Sequence, residues 1–415
     1  MKTVFFCNLI PLKKGAFEAL LVAIGAEFKK AGDEFVVVFS GAPIPSVAEA
    51  LRATGVRWHI LKEWVGGEDR LLSKGLKGAS SCPSATKQPN NPTTAAGERV
   101  RPWGFVLPAL RLLRQERPDV VAVHFGNELP ALVTILIARL VLRKRLRWIW
   151  HQHQQIAAPA TFWQRHVSRI RLLSFLVDGI VALYEGGRQV LKARGVPDGK
   201  IVVVPNGTQE PTRTRPPEWL RASCGLPSKS KLVANISSLI TRKRVDITIE
   251  AFAKVSPLSG HLPYLLLVGT GPEEDRLRAL IAERGIANQV IFMGQRDDVG
   301  DIIAESDVVC LSSSAEACPY VLLEAMSLGR PCIATNAGAV TEIVEDTVTG
   351  YIVPRASVGA LADRVTALLD NPELAEQCGR MGRKKWESCF TLDGQVSVLL
   401  ALYSSNYFGH DNLRG

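Results

Sequence analysis

Two glutamates, Glu316 and Glu324, stand eight positions apart around the apolar run ACPYVLL. The residues before them, DVVCLSS, read as a buried strand, and Pro319 suits the first turn of a helix continuing through VLLEAMSLG. Glu316 then lies in the loop at the carboxyl end of a strand, and Glu324 about a turn and a half inside the helix. Parallel α/β sheets bind ligands in the crevice beyond their strand ends. A helix amino terminus there offers free N–H groups and partial positive charge, a cradle for phosphate. The segment suits a phosphorylated ligand held by its phosphates, with one carboxylate taking hydroxyls on each side, the ribose among them. Arg242, Lys243 and Arg244 fall in another loop after a strand and before a helix, from which cations reach the same crevice. VGTGPEED follows a further strand but lacks the third glycine of a dinucleotide fingerprint. The chain contains no Asp-x-Asp triplet, so the neutralising charge is expected from side chains and the helix rather than from a bridging metal.

The elements that must position these residues alternate along the whole chain. KTVFFCNLI, a helix over Phe17 to Lys30, EFVVVFS, GVRWHIL, DVVAVHF, a helix after Glu128, RWIWHQH, DGIVALYE and KIVVVPN fill the first half. KLVANIS, a helix over Asp246 to Val255, PYLLLVG, a helix over Pro272 to Arg284, QVIFMG, DVVCLSS, PCIATN and GYIVP fill the second. Strands alternating with helices of this length predict βαβ units and parallel sheets. The expected fold class is α/β, with two tandem Rossmann-like doubly wound domains over residues 1–208 and 209–390. A Pro- and Thr-rich linker falls near 206–218. Residues 66–102, rich in Ser, Pro, Asn and Thr, predict a mobile surface loop. A last helix in 391–415 is free to pack on either domain.

Composition excludes several classes. With 415 residues, 47% of them hydrophobic, the chain builds two to three full-sized cores and is neither disordered nor fibrous. The opening run before Pro11 is too short for a signal segment. LPALVTILIARLVL, the longest later apolar stretch, is short of the roughly 20 residues a bilayer span needs. Eight cysteines without metal-ligand spacing predict no zinc site and no disulfide framework, and a cytoplasmic setting. The net charge of +10 is concentrated: from Leu129 to Val177 the chain carries eight basic residues, no acidic one, and Trp148, Trp150, Phe162 and Trp163 between them. Such a field suits an anionic membrane surface, on which the protein would be peripheral. No helix-turn-helix, RNP or OB signature accompanies the charge, so nucleic acid is not an expected partner.

As a set, EACPYVLLE, AMSLGRPCIATNAGAVTEIVEDTVTGYIVP, VGTGPEEDRL, VIFMGQRDDV and, in the first half, GVPDGKIVVVPNG resemble the retaining GT-B glycosyltransferases of family 4. The resemblance runs to about residue 405, densest in the second domain. It implies transfer of a sugar from a UDP- or GDP-linked donor to a hydroxyl of a glycan or lipid-linked acceptor, with retention and without a metal or other cofactor. By resemblance Glu316 contacts donor-sugar hydroxyls and Glu324 holds the ribose. Pro319 and Tyr320 stand where backbone N–H groups meet the diphosphate, and Lys243 neutralises it. Arg296 brackets the base, and Gly15 ends the glycine-rich loop of the first domain. His153 or His151 lies near the donor sugar and acceptor; strand alternation puts both on one face, and the reading leans to His153. The family's arginine five residues before the lysine is here Ser238, with Arg242 or Arg244 as replacements from the same loop. Two alternatives remain open: a sugar-nucleotide epimerase of the same build, and a catalytically silent sugar-nucleotide binder at the membrane.

Overall fold

The computed structural model describes residues 1–7, 15–61, 106–124, 128–142, 146–153, 169–255 and 262–404. Runs of Val, Ile and Phe form the strands, and their near-continuous burial fits parallel sheets covered on both faces. In the first half these are β1 (Lys2–Cys7), β2 (Glu34–Phe39), β3 (Arg57–Ile60), β4 (Val120–His124), β5 (Arg147–Gln152), β6 (Gly179–Ala182) and β7 (Ile201–Val203). They pair in the order β3-β2-β1-β4-β5-β6-β7, every pair parallel. The second sheet comprises β8 (Lys231–Ile236), β9 (Pro263–Val268), β10 (Val290–Gly294), β11 (Val308–Leu311), β12 (Cys332–Thr335) and β13 (Gly350–Val353). Its order is β10-β9-β8-β11-β12-β13, again all parallel. The chain thus forms two Rossmann-like domains, as the strand–helix alternation predicts.

The helices of the first half are α1 (Ala16–Lys30), α2 (Pro45–Ala53), α3 (Val106–Glu116), α4 (Glu128–Val141), α5 (Arg169–Leu176) and α6 (Glu185–Ala193). Those of the second are α7 (Trp219–Ser223), α8 (Val245–Phe252), α9 (Glu274–Glu283), α10 (Val299–Glu305), α11 (Tyr320–Ser327), α12 (Val340–Ile343), α13 (Val358–Asp370), α14 (Pro372–Cys389) and α15 (Leu392–Ser404). Helices α3, α4, α5 and α6 cover one face of the first sheet around Val121, Trp148 and Ile180. Helices α1 and α2 cover the other, joined there by α15, whose Leu392, Val396, Leu399 and Tyr403 pack with Phe5, Leu20 and Ile24.

Two positions correct the reading of the basic stretch. Trp148 and Trp150 are 2% and 4% exposed, core residues of β5 rather than surface anchors. Their neighbour Arg147 turns inward, donating to the Tyr403 carbonyl. The segment 66–102, Phe162 and Trp163 lie outside the described residues.

Candidate functional site

Both domains place loops at the carboxyl ends of their strands, and several contacts hold these edges together. The Asn206 side-chain amide donates to the Cys318 carbonyl at 2.9 Å, within the core. Across the same boundary the Glu342 carboxylate accepts from the Glu185 and Gly186 N–H groups at 2.8 and 2.9 Å, an acid at the amino terminus of α6. Tyr184 sits in the core of the second domain with Leu322, Met326 and Val340.

At the centre of this edge Lys243 and Glu316 are brought together. Seventy-three positions apart in sequence, Lys243 Nζ donates to Glu316 Oε1 at 2.5 Å, and their side chains are only 17% and 7% exposed. A buried polar chain fixes the loop that presents the lysine. The Asn235 amide donates to Thr248 Oγ1 at 3.0 Å, Thr248 to Ser312 Oγ at 2.9 Å, and Ser312 to the Arg244 and Lys243 carbonyls at 2.6 and 3.2 Å. Ser314 completes the stitch, its N–H and hydroxyl both reaching the Arg242 carbonyl. Satisfied buried networks of this kind hold a functional side chain in one place. Sequence reading missed Asn235, Thr248 and Ser312; only Ser312 carries a signal, the polar run SSS directly after an apolar strand.

The loop carrying the glycines of VGTGPEED closes against the same region. Leu239 N–H donates to the Thr270 carbonyl, and Glu273 N–H to that of Leu239, both at 3.0 Å. A side chain at Gly271 would put its Cβ 2.2 Å from the Leu239 carbonyl oxygen. Close backbone approach, rather than a dinucleotide fingerprint, therefore accounts for that glycine.

The other cations divide. Arg244, in the left-handed region at φ 48°, turns its guanidinium onto Asp246 at 3.0–3.2 Å. Arg242 instead reaches the Ala315 carbonyl at 3.1 Å, one residue from Glu316. Of the two replacements for the family arginine, Arg242 is thus the one beside the site. Ser238 is exposed in the loop after β8.

Pro319 is the N-cap of α11 and gives its first turn no side-chain hydrogen bond. A proline has no N–H, which corrects one expectation: Pro319 cannot donate to a diphosphate, and the N–H groups on offer begin at Tyr320. Burial pushes the Tyr320 phenol well above its ordinary range, with the charges of Cys318, Glu18 and Glu324 adding to it. Its hydroxyl is buried without a hydrogen-bond partner among the described residues. Glu18 belongs to the first turn of α1, whose N-cap is Gly15, so the start of α1 faces α11. Glu324 is half-buried on α11. Arg296 is clamped by Asp298 through two hydrogen bonds of 2.8 and 2.6 Å, which fixes the plane of its guanidinium.

The histidines form a cluster that includes one residue the sequence reading passed over. Parallel pairing puts His124 of β4 opposite His151 of β5, with rings stacked at 3.9 Å. His124 Nδ1 lies 2.9 Å from His153 Nε2, and His151 Nε2 lies 3.0 Å from the Tyr403 hydroxyl. His151 is 4% exposed, while His153, just past the end of β5, is half-buried. His153 is the one of the pair at the strand end, where ligands bind in such sheets. Burial drives the pKa of all three down, that of His153 to about 3; like charge from His151 and His153 adds to the effect at His124. All three are therefore neutral at neutral pH.

Two family models match the chain in succession: Glycosyltransferase Family 4 over residues 21–209 and Glycosyl transferases group 1 over residues 218–385. The N-acetyl-alpha-D-glucosaminyl L-malate synthase of Bacillus anthracis is 28% identical over 70% of this chain and 75% of its own length. The phosphatidyl-myo-inositol mannosyltransferase of Mycobacterium leprae is 32% identical over 42% of this chain and 46% of its own. Among solved structures, Anabaena HepE in complex with UDP superimposes with a TM-score of 0.73 at 19% identity, covering 97% of this chain and 100% of that one. WaaG, a glycosyltransferase involved in lipopolysaccharide biosynthesis, gives 0.66 at 16% identity over 98% and 100%. Nothing in these comparisons points to an epimerase. With both halves matched in order and the GT-B build shared, the chain belongs to the group 1 glycosyltransferases.

Proposed function

We propose that the chain transfers a sugar from a nucleotide diphosphate sugar to a hydroxyl of a glycan or lipid-linked acceptor, with retention of configuration and without a metal. The observation that carries this reading is the largely buried Lys243–Glu316 pair beside the amino terminus of α11. The lysine is positioned to leave the carboxylate for a diphosphate, and the freed Glu316 to accept from sugar hydroxyls. The bond from the anomeric carbon to the β-phosphate oxygen breaks as Lys243 and the α11 N–H groups from Tyr320 onward stabilise the developing charge. The acceptor oxygen bonds the same face of that carbon, and its proton passes to a diphosphate oxygen, so no protein base is required. Glu324 holds the ribose, Arg296 borders the base, Arg242 adds charge where Ser238 supplies none, and His153, oriented by His124, faces the sugar. UDP is the favoured nucleotide, since Anabaena HepE was solved with UDP and with UDP-glucose.

The test is transfer to a lipid-linked acceptor in EDTA, with UDP- and GDP-sugars compared and the product's anomeric proton read by NMR. The α-configured product from an α-linked UDP-sugar is expected. A β-configured product, or transfer only with added divalent ion, would refute retention or metal independence respectively. Donor binding without turnover would favour the silent sugar-nucleotide binder.

A further inference from the structure

Among the described residues nine large apolar side chains are exposed, and six of them, Leu107, Leu136, Leu140, Val141, Leu172 and Phe175, lie on α3, α4 and α5. These helices pack side by side on one face of the first sheet, burying Ala109, Leu113, Ile135, Ala138, Ile170 and Leu173 beneath them. Helical spacing interleaves the outward apolar residues with arginine: Leu107 with Arg111 and Arg114, Leu136 and Leu140 with Arg139, Leu172 and Phe175 with Arg169, all exposed. Arg171 lies over the Phe175 ring at 5.9 Å. The described carboxylates nearby are neutralised: Glu116 is buried against Lys2, Arg57 and His59, and Asp178 pairs with Arg139 at 3.3 Å.

A face of arginine and large apolar side chains is costly in water unless something covers it. Long basic side chains can stay at headgroup level while neighbouring leucine and phenylalanine enter the acyl boundary, and anionic lipid complements the charge. We propose that the outer face of α3, α4 and α5 docks on the surface of an anionic bilayer. The proposal deepens the transferase reading by naming where a lipid-linked acceptor is met, and only that purpose rests on the reading. Among the described residues no helix is long and apolar enough to cross a membrane, so the contact is superficial.

The test is flotation of the full chain with phosphatidylcholine vesicles, with and without phosphatidylglycerol. Flotation is expected only with the anionic lipid, to weaken with salt, and to fall about fivefold for each of Arg111→Ala and Arg169→Ala. The double variant Leu140→Glu, Phe175→Glu is expected to abolish it while circular dichroism and nucleotide binding stay unchanged, because both side chains are exposed. Equal binding to neutral vesicles, or undiminished flotation of the double variant, would overturn the proposal. So would light scattering that finds a dimer the double variant dissolves, since a second copy would then be the occupant. Nucleotide binding is measured on the same samples. Flotation lost with nucleotide binding intact condemns only the docking face, and the converse condemns only the donor site.

Discussion

Replacing Lys243 by alanine is expected to lower kcat by about 10²- to 10³-fold, because on the proposed reading it removes a charged donor that stabilises the departing diphosphate. The loss corresponds to roughly 3–4 kcal/mol of transition-state stabilisation. Neighbouring cations do not take over its place: Arg244 is held by Asp246, and Arg242 is anchored on the Ala315 carbonyl, from which it adds its own charge but does not reach the lysine's position. The substitution also strands Glu316, whose side chain is only 7% exposed, and an uncompensated buried charge costs stability. The two consequences are separable. Urea unfolding reads the stranded carboxylate, while single-turnover kinetics at saturating donor reads the chemistry. The double variant Lys243→Ala, Glu316→Gln is expected to recover the urea midpoint without recovering the rate. A Lys243→Ala enzyme within threefold of the unsubstituted rate would remove the lysine from the mechanism.

The second large effect is an early loss of stability in mild acid. His124 and His151 are held neutral by burial beneath α1 and α15, yet in the unfolded chain they protonate at the ordinary value of about 6.5. Between that value and their depressed folded values the unfolded state binds more protons, so stability rises with pH and falls as pH falls. Each such histidine contributes up to about 1.4 kcal/mol per pH unit. His153, lowered to about 3, acts in the same direction, discounted for its partial exposure. The carboxylates act later. Burial alone would raise Glu116, but its hydrogen bonds from Lys2, His59 and Arg57 outweigh that and hold it down at about 2. Its stabilisation is therefore lost only between roughly pH 4.5 and pH 2. Urea midpoints measured from pH 7.5 to pH 5 are thus expected to fall steeply, before carboxylate protonation sets in. His124→Phe, which keeps an aromatic ring against Phe5, is expected to flatten the slope by about one proton. A midpoint constant over that range would mean that the cluster accepts protons while folded.

Much of the fold was legible because the strands are compact runs rich in β-branched, aromatic or other apolar residues, many of them bounded by Gly, Pro or Asp. All thirteen strands among the described residues fall on runs recognisable in the sequence. Helix α14 was less visible, since its buried residues include Cys378, Gly379 and Gly382 rather than a leucine stripe. Its real signal is local: Asn371 accepts from the Leu374 N–H at 3.0 Å with Pro372 opening the helix, a cap followed by a proline.

The site divided along the same line. The motifs point to Glu316, Glu324 and Lys243 as candidates, but the Lys243–Glu316 pairing joins loops seventy-three positions apart, and only the adjacency of β8 and β11 creates it. His124 was overlooked because DVVAVHF shows one histidine at the end of an apolar strand. Its meaning arises from the register that sets it against His151. The tryptophans of the basic stretch misled for the converse reason: composition cannot tell that β5 is covered on both faces. The leucines and Phe175 on the three neighbouring helices, unremarkable in sequence, hold the outward positions instead.

Titration calorimetry of the purified full chain with UDP and with GDP, in EDTA, with Glu324→Ala alongside, reads the donor site itself. Micromolar binding of one nucleotide, UDP in the first instance, is expected, and its loss in the variant. Binding of neither nucleotide, or equal binding by Glu324→Ala, would contradict a donor site at the amino terminus of α11.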